Sequence, residues 1–210
     1  MDRYQETFET WNKVAKLYED VFMHLDLYND TYDIFCELIT KENAHVLEIG
    51  CGPGNITRYL LEKKPDLLIN GIDISPNMIS LAEKNNPSAN FKVMDCRNID
   101  QLTNKVDAIM CGFCLPYLSE TDNLKFLMDC SKLLLQEGTI YLSFVEGEYS
   151  LSGYQTGSSG DRTYFYYHSV EDIISELNAN NIKLIQLFKK DYVKRDGSAE
   201  IHSILIARKD

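Results

Sequence analysis

Apolar residues in the first forty positions recur at helical spacing: Phe8, Trp11, Val14, Ala15 and Tyr18, then Tyr28, Tyr32, Phe35, Cys36 and Ile39. Steps of three and four residues put such side chains on one face, so the spacing predicts helices over 6–20 and 27–40. From position 45 the rhythm changes. Short apolar runs at 45–49, 67–73, 90–94, 106–113 and 139–145 alternate with amphipathic stretches at about 55–64, 76–86 and 120–135. That alternation predicts a parallel sheet covered by helices. Thr121 or Asp122 is placed to cap the helix near 120, and Gly138 to turn from helix to strand.

The last third behaves differently. Residues 146–168 form a polar stretch rich in Gly, Ser and Tyr, longer than a tight connection needs, and loops of that length are usually functional or mobile. Ser169 is placed to cap a helix to about Asn180, with Glu171 and Asp172 in its first turn. Strand-like runs follow at 182–193 and 200–208, joined by Lys194 to Ser198. Asp196-Gly197 in that join is a hairpin signal, so the sheet is expected to end in an antiparallel pair. Neither an internal repeat nor a linker divides the chain. A single domain is expected: a helical cap (1–42), a ligand-binding core (43–145), a lid (146–168), and a terminal helix with its hairpin (169–210).

Composition narrows the function classes. The 210 residues are 44% hydrophobic and 25% charged, the balance of an ordinary globular protein. A formal charge of −11, with no Lys/Arg run longer than two, argues against nucleic acid and anionic membranes as partners. The first twenty residues lack the apolar core of a signal peptide, and Ala108 to Leu118 is too short to span a bilayer. Six cysteines without secretion signals read as reduced thiols, which makes a cytoplasmic location the expectation. Cys111 and Cys114 form a C-x-x-C, but no second half of a zinc site exists and Cys111 closes a strand-like run. No metal is expected.

Candidate chemistry lies where the run at 45–49 breaks into Gly50, Gly52 and Gly54. Alternate glycines let the chain turn tightly and bring amides close to a ligand, while the following helix points its positive end there. No Gly-Lys-[Ser/Thr] follows, which excludes a phosphate loop of the Walker type, and the spacing G-x-G-x-G departs from the dinucleotide fingerprint. Asp73 closes the second run and is suited to accept from ribose hydroxyls. Asp95 closes the third, where a base would extend, and with the Cys96 amide is suited to read an adenine edge.

Val46 to Gly54 (VLEIGCGPG), Gly71 to Met78 (GIDISPNM), Asp95 and Val106 to Phe113 together resemble the successive motifs of the class I S-adenosylmethionine-dependent methyltransferases. The resemblance covers about 43–145 and implies a doubly wound, Rossmann-like α/β fold, its seven-stranded and mostly parallel sheet ending in an antiparallel hairpin. It implies S-adenosylmethionine as cofactor. Gly50, Cys51, Gly52 and Gly54 would pass under its methionine part, with Glu48 organising the loop and the amino group. Asp73 would take the ribose, Ile74 and Met78 would flank the adenine, and Asp95 with Cys96 would face its amine. Cys111, within the fourth motif, would be a further cofactor contact, and Tyr18 would reach over the cofactor from the N-terminal helix. Two other readings stay open: a non-catalytic binding or scaffold protein on the same fold, and a nicotinamide-dinucleotide oxidoreductase.

A methyl acceptor needs positioning close to the donor and a base only if it carries a proton at neutral pH. Cys114 to Tyr117 (CLPY) resembles the motif of methyltransferases acting on base amines, but lacks its polar residue and first proline, so a small-molecule acceptor is expected. Tyr117 is a candidate pocket wall. His168 is the candidate base, ahead of His24 and His202, because it lies between an aromatic run and a helix start. Arg162 is a candidate for an acidic acceptor, and Tyr149, Tyr154, Tyr164, Tyr166 and Tyr167 suggest a lid with apolar walls and polar tips.

Overall fold

The computed structural model of the protein describes residues 2–157, 160–194 and 197–210. Two helices, α1 (Arg3–Phe22) and α2 (Asn29–Leu38), precede an alternation of strand and helix. That alternation runs β1 (His45–Ile49), α3 (Asn55–Lys63), β2 (Leu68–Asp73), α4 (Pro76–Asn85), β3 (Asn90–Val93), β4 (Val106–Gly112), α5 (Glu120–Leu133) and β5 (Leu134–Val145). A small hairpin, β6 (Gly153–Thr156) and β7 (Arg162–Phe165), comes next, followed by α6 (Val170–Ala179), β8 (Ile182–Val193) and β9 (Ala199–Lys209).

The seven-stranded sheet has the order β3-β2-β1-β4-β5-β9-β8. Pairings from β3 to β5 are parallel, whereas β5–β9 and β9–β8 are antiparallel. The chain leaves β1 toward one edge and returns to β4 on its other side. In an open sheet of this kind, the crevice beyond the carboxyl ends of the two central strands is the binding position.

Strands covered on both faces read as unbroken apolar runs, and here alternate residues feed two cores. Val46, Ala108, Met110, Tyr141 and Ile204 pack with Phe35 of α2 and Leu60 of α3. Leu47, Ile109, Cys111, Leu142 and Leu205 pack on the other face with Phe126 and Leu127 of α5 and Ile173 and Leu177 of α6. No helix among the described residues is long and apolar enough to cross a membrane.

Three local expectations change. The cap of α5 is Ser119, whose Oγ accepts from Asp122 N at 3.2 Å, so Asp122 sits inside the first turn. A serine before two acidic residues caps well, because the acids then face the helix's positive end. The turn into the apolar part of β5 places its positive φ (61°) on Glu137, while a Cβ on Gly138 would lie 2.8 Å from Leu135 O. The polar stretch 146–168 is not one long loop but holds the hairpin β6–β7. That hairpin docks on α1: Tyr164 N donates to Thr7 Oγ1 (2.9 Å), and Thr10 Oγ1 donates to Arg162 O (2.7 Å). In the join between β8 and β9, Lys194 N donates to Ser198 O (2.8 Å) and Gly197 has φ 85°, while Arg195 and Asp196 lie outside the described residues.

Candidate functional site

The glycine loop leaves β1 with φ of 68°, 53° and 80° at Gly50, Gly52 and Gly54, values that a Cβ makes costly. Gly50 and Cys51 donate from their amides to Ile72 O (2.8 and 3.0 Å), which bends the loop toward β2. A cavity of about 320 Å³ opens there, with Gly50, Cys51 and Gly52 in its floor. Gly54 does different work. It caps α3, and a Cβ there would meet Asn86 Nδ2 at 2.2 Å, so this glycine lets α4 pack close rather than facing the cavity.

Asp73, at the end of β2, fixes the loop from the side. Its Oδ2 accepts from Gly52 N (3.0 Å) and its Oδ1 from Ser75 N (2.8 Å), which leaves lone pairs on both oxygens toward the cavity it lines. Burial raises its pKa, and those two amide bonds pull it back. Ser75 caps α4 by accepting from Met78 N, with Pro76 in the first turn. Ile74 and Met78 consequently line the same end.

Glu48 is 1% exposed in the middle of β1. Thr57 Oγ1 of α3 donates to its Oε2 at 2.5 Å, while Oε1 has no hydrogen-bond partner among the described residues. Burial pushes the carboxyl up to about 8, against the hydrogen bonds from Thr57. It does not line the cavity but ties the loop's two flanks together from beneath.

Asp95 and Cys96 line the cavity beyond Asp73. The carboxylate of Asp95 is already gripped by a residue that sequence reasoning passed over: Arg97 Nε approaches both oxygens (3.1 and 3.0 Å), and Nη2 donates to Oδ2 (2.5 Å). Arg97 also lies 4.1 Å from the centroid of the Tyr4 ring. The base-reading role expected of Asp95 therefore requires sharing its oxygens with a guanidinium. A 3₁₀ turn at Cys96–Gln101 brings Arg97 back onto Asp95, a local geometry with no hydrophobic period to announce it.

The roof is α1. Trp11 packs edge-on against Tyr18 and Tyr117, each 5.6 Å away, and Tyr18 in turn lies 4.5 Å from Phe22. Tyr18 stands over Gly52, whose Cβ would come 3.7 Å from Tyr18 Cε1. Burial and the nearby Asp73 push this phenol up to about 12. Asn12 pins the helix to α4: its Oδ1 accepts from Ser75 Oγ (2.8 Å) and Asn77 N (3.1 Å), and its carbonyl from Asn77 Nδ2 (2.7 Å).

Two expected residues lie elsewhere. His168 is buried with Nε2 donating to Leu115 O at 3.0 Å, outside the cavity lining, and burial lowers its pKa. Its place between an aromatic run and a helix start reflects docking of β7 onto the turn after β4 rather than access to a ligand. Cys111 points into the opposite core with Cys130, because strand alternation sends it away from Met110. Among the described residues of the stretch 146–168, Phe165 alone lines the cavity, and Arg162 instead pairs with Glu6. Tyr117 does line it, its phenol raised by burial.

The far end of the cavity is built from residues that sequence reasoning ranked low or missed. Phe113 follows β4 with φ 56°, its ring 5.2 Å from Tyr28 and 4.8 Å from His202. Tyr28 Oη lies 2.7 Å from His202 Nδ1, and Tyr192 stacks on the His202 ring at 4.8 Å. The one available signal was parity: His202 shares its face of β9 with the buried Ile204 and Ile206.

Residues 46–138 match the family model described as a methyltransferase domain. With the loop, Asp73 and the antiparallel sheet ending in place, that match decides the assignment. The matched region belongs to the class I S-adenosylmethionine-dependent methyltransferases. Among curated methyltransferases, the demethylmenaquinone methyltransferase of Thermotoga maritima is 32% identical over 107 residues, 50% of this chain and 46% of that protein. Protein 235L of Invertebrate iridescent virus 6, named for methyl transfer, is 33% identical over 112 residues, 53% of this chain and 40% of its own. The chain thus spans less than half the length of these relatives in the matched region. The methyltransferase fold extends over the whole chain: magnesium protoporphyrin IX methyltransferase of Synechocystis PCC 6803 superposes with a TM-score of 0.72 at 18% identity, covering 100% of this chain and 98% of that one. The [4+2]-cyclase SpnF superposes with a TM-score of 0.74 at 15% identity, covering 98% and 96%.

Proposed function

We propose that the protein binds S-adenosylmethionine in the crevice between β1 and β4 and transfers its methyl group to a small-molecule acceptor. The observation that carries this reading is the bond between Asp73 and the Gly52 amide: it presents a carboxylate and a bare glycine floor to one cavity at the fold's switch point. Fit is supported by the cradle itself, since a side chain at Gly50 would crowd Cys114 Cβ at 3.2 Å and one at Gly52 would enter the space under Tyr18.

In this reading Gly50, Cys51 and Gly52 hold the methionine part, Asp73 takes the ribose hydroxyls, and Ile74 and Met78 flank the adenine. Cys96 and the Asp95–Arg97 pair close the edge of the base. Glu48 acts from beneath through Thr57 and the loop, and Gly54 through α4. When bound, the sulfonium supplies an activated methyl group. The protein's part is to align the acceptor, and the aromatic walls of Trp11, Tyr18, Tyr117 and Phe113 keep water out. The absence of any basic run in a chain of charge −11 supports a small molecule rather than a nucleic acid.

Calorimetry with S-adenosylhomocysteine tests the donor site. Micromolar binding is expected, and no heat at millimolar ligand would sink the reading.

A further inference from the structure

The far end of the cavity contains a chain of proton-bearing groups that the donor site does not use. Tyr28, just before α2, places its Oη 2.7 Å from His202 Nδ1 on β9. His202 Nε2 lies 3.8 Å from Glu200 Oε2, two residues earlier on the same strand. Tyr28, His202 and Glu200 all line the cavity. His202 is clamped by three aromatic faces: Tyr192 stacked at 12°, Phe113 edge-on, and Tyr28 at 19°. A ring held that firmly, next to a carboxylate that favours a proton on Nε2, presents a bare Nδ1 to Tyr28, so the phenol donates to it. Phe113 joins this cluster to the donor site, because its neighbour Cys114 packs against Gly50.

We infer that Tyr28, His202 and Glu200 form a proton relay serving the acceptor, and that the acceptor is an uncharged aromatic compound bearing a hydroxyl group. This rests on the donor reading above. Charge argues for an uncharged acceptor: Arg97 is the one Lys or Arg among the described residues lining the cavity, and Asp95 holds it. A carboxylate or phosphate acceptor would meet Asp73, with Asp95 already held by Arg97 and Glu200 by Lys194, and no free cation among the described residues of the cavity lining to receive it. The ring shape follows from walls made by Phe22, Tyr28, Phe113 and Tyr192. The hydroxyl follows from the relay: an amine sheds its surplus proton to water after transfer, whereas a hydroxyl must lose its proton as the new bond forms.

The acceptor oxygen forms a bond to the methyl carbon of S-adenosylmethionine, and the carbon–sulfur pair remains on sulfur. The acceptor's hydroxyl proton passes to Tyr28 Oη as the Tyr28 proton passes to His202 Nδ1. The resulting imidazolium faces Glu200 and later releases its proton to solvent. Burial keeps His202 neutral beforehand, lowering it to about 4; Glu200 opposes this, and Lys194, which pairs with Glu200, adds to the lowering. The relay therefore starts with an open acceptor site on Nδ1. Tyr28 is the residue that would touch the acceptor; His202 and Glu200 act through it.

The test uses the full chain labelled with ¹⁵N-histidine, together with methyl-labelled S-adenosylmethionine and 4-methylumbelliferone, catechol and quercetin as probes. Nitrogen–proton correlation spectra should show His202 protonated on Nε2 and bare on Nδ1, with the Nδ1 resonance moving in Tyr28→Phe. At least one phenol should be methylated, with kcat falling about 100-fold in both Tyr28→Phe and His202→Gln. The affinity for S-adenosylhomocysteine should stay within about twofold, which also marks the variants as folded. A proton on Nδ1, or variants that retain kcat, would overturn the relay. Binding of S-adenosylhomocysteine without turnover of any phenol would overturn the acceptor class. No binding by the unaltered protein would overturn the donor reading itself, and this inference with it.

Discussion

Asp73 reaches across the mouth of the crevice to the amide of Gly52, 21 residues earlier, and holds the glycine loop open at 3.0 Å. The same carboxylate is proposed to take the ribose, so loop shape and ligand recognition depend on one group. Asp73→Ala should weaken S-adenosylhomocysteine binding by about 1–3 kcal/mol, because it removes an acceptor and leaves a loop amide unpaired. Asp73→Asn, which keeps one oxygen, should fall between. Unchanged calorimetric affinity in Asp73→Ala would remove this residue from the donor site.

Two glycines of the loop should separate binding from stability. Gly52→Ala puts a methyl into the cradle under Tyr18, with ordinary contact at 3.7 Å and a φ of 53°. It should cost about 1–2 kcal/mol in stability for the left-handed backbone, and additionally lose ligand affinity. Gly54→Ala drives a methyl to 2.2 Å from Asn86 Nδ2 at φ 80°. Its loss should be larger and should register in urea denaturation, with whatever folds still binding ligand. Equal affinity losses in the two variants would contradict the division of labour.

Glu48 gives the fold a dependence on pH. Its pKa is raised from 4.5 to about 8 by burial, so across that window the folded state retains a proton that the unfolded chain has released. Stability from this group is complete below the unfolded value and declines as pH rises through the folded one, by at most ~1.4 kcal/mol per pH unit. His168 and His202 are shifted down and act in the opposite sense at lower pH, so the comparison must be with Glu48→Gln, which is neutral throughout. Unfolding free energies between pH 5 and 8.5 should fall more steeply in the unaltered protein than in this variant. Parallel curves would mean that the carboxyl titrates normally.

Asn12 fastens the middle of α1 to the start of α4 through three hydrogen bonds, and Asn85 Nδ2 donates to Glu19 Oε1 (2.7 Å) further along. Asn12→Ala should destabilise the protein by about 1–2 kcal/mol. It should also raise amide exchange selectively in α1, leaving β1 and β4 protected. Uniform loss of protection would show that the helix is not a separable unit.

Much of this architecture is legible in the sequence, because runs buried on both faces alternate with amphipathic stretches and leave few alternatives. Gly50, Gly52, Asp73 and Asp95 could be placed at one sheet edge for the same reason: each sits at or just past the end of a run. What escaped was set by tertiary contact. His168 looked like a base from its neighbours in the chain, yet the carbonyl of Leu115, 53 residues away, accepts a hydrogen bond from its ring. Arg97 lies two residues from Asp95 and turns back on it through a 3₁₀ turn that no periodicity marks. The Tyr28–His202 contact spans 174 residues and depends on β9 inserting between β5 and β8, a topological fact invisible to local pattern.

Six side chains of α1 face the cavity, from Tyr4 to Phe22, although the helix itself is largely polar and buries Thr7, Ala15 and Glu19 alone. A ligand under such a roof would be held by the helix, and the helix is itself held by a handful of polar bonds rather than by a deep core. Residence time is then governed by the opening free energy of one element. Changes that loosen α1 speed entry and exit together, and affinity measured at equilibrium conceals most of the effect.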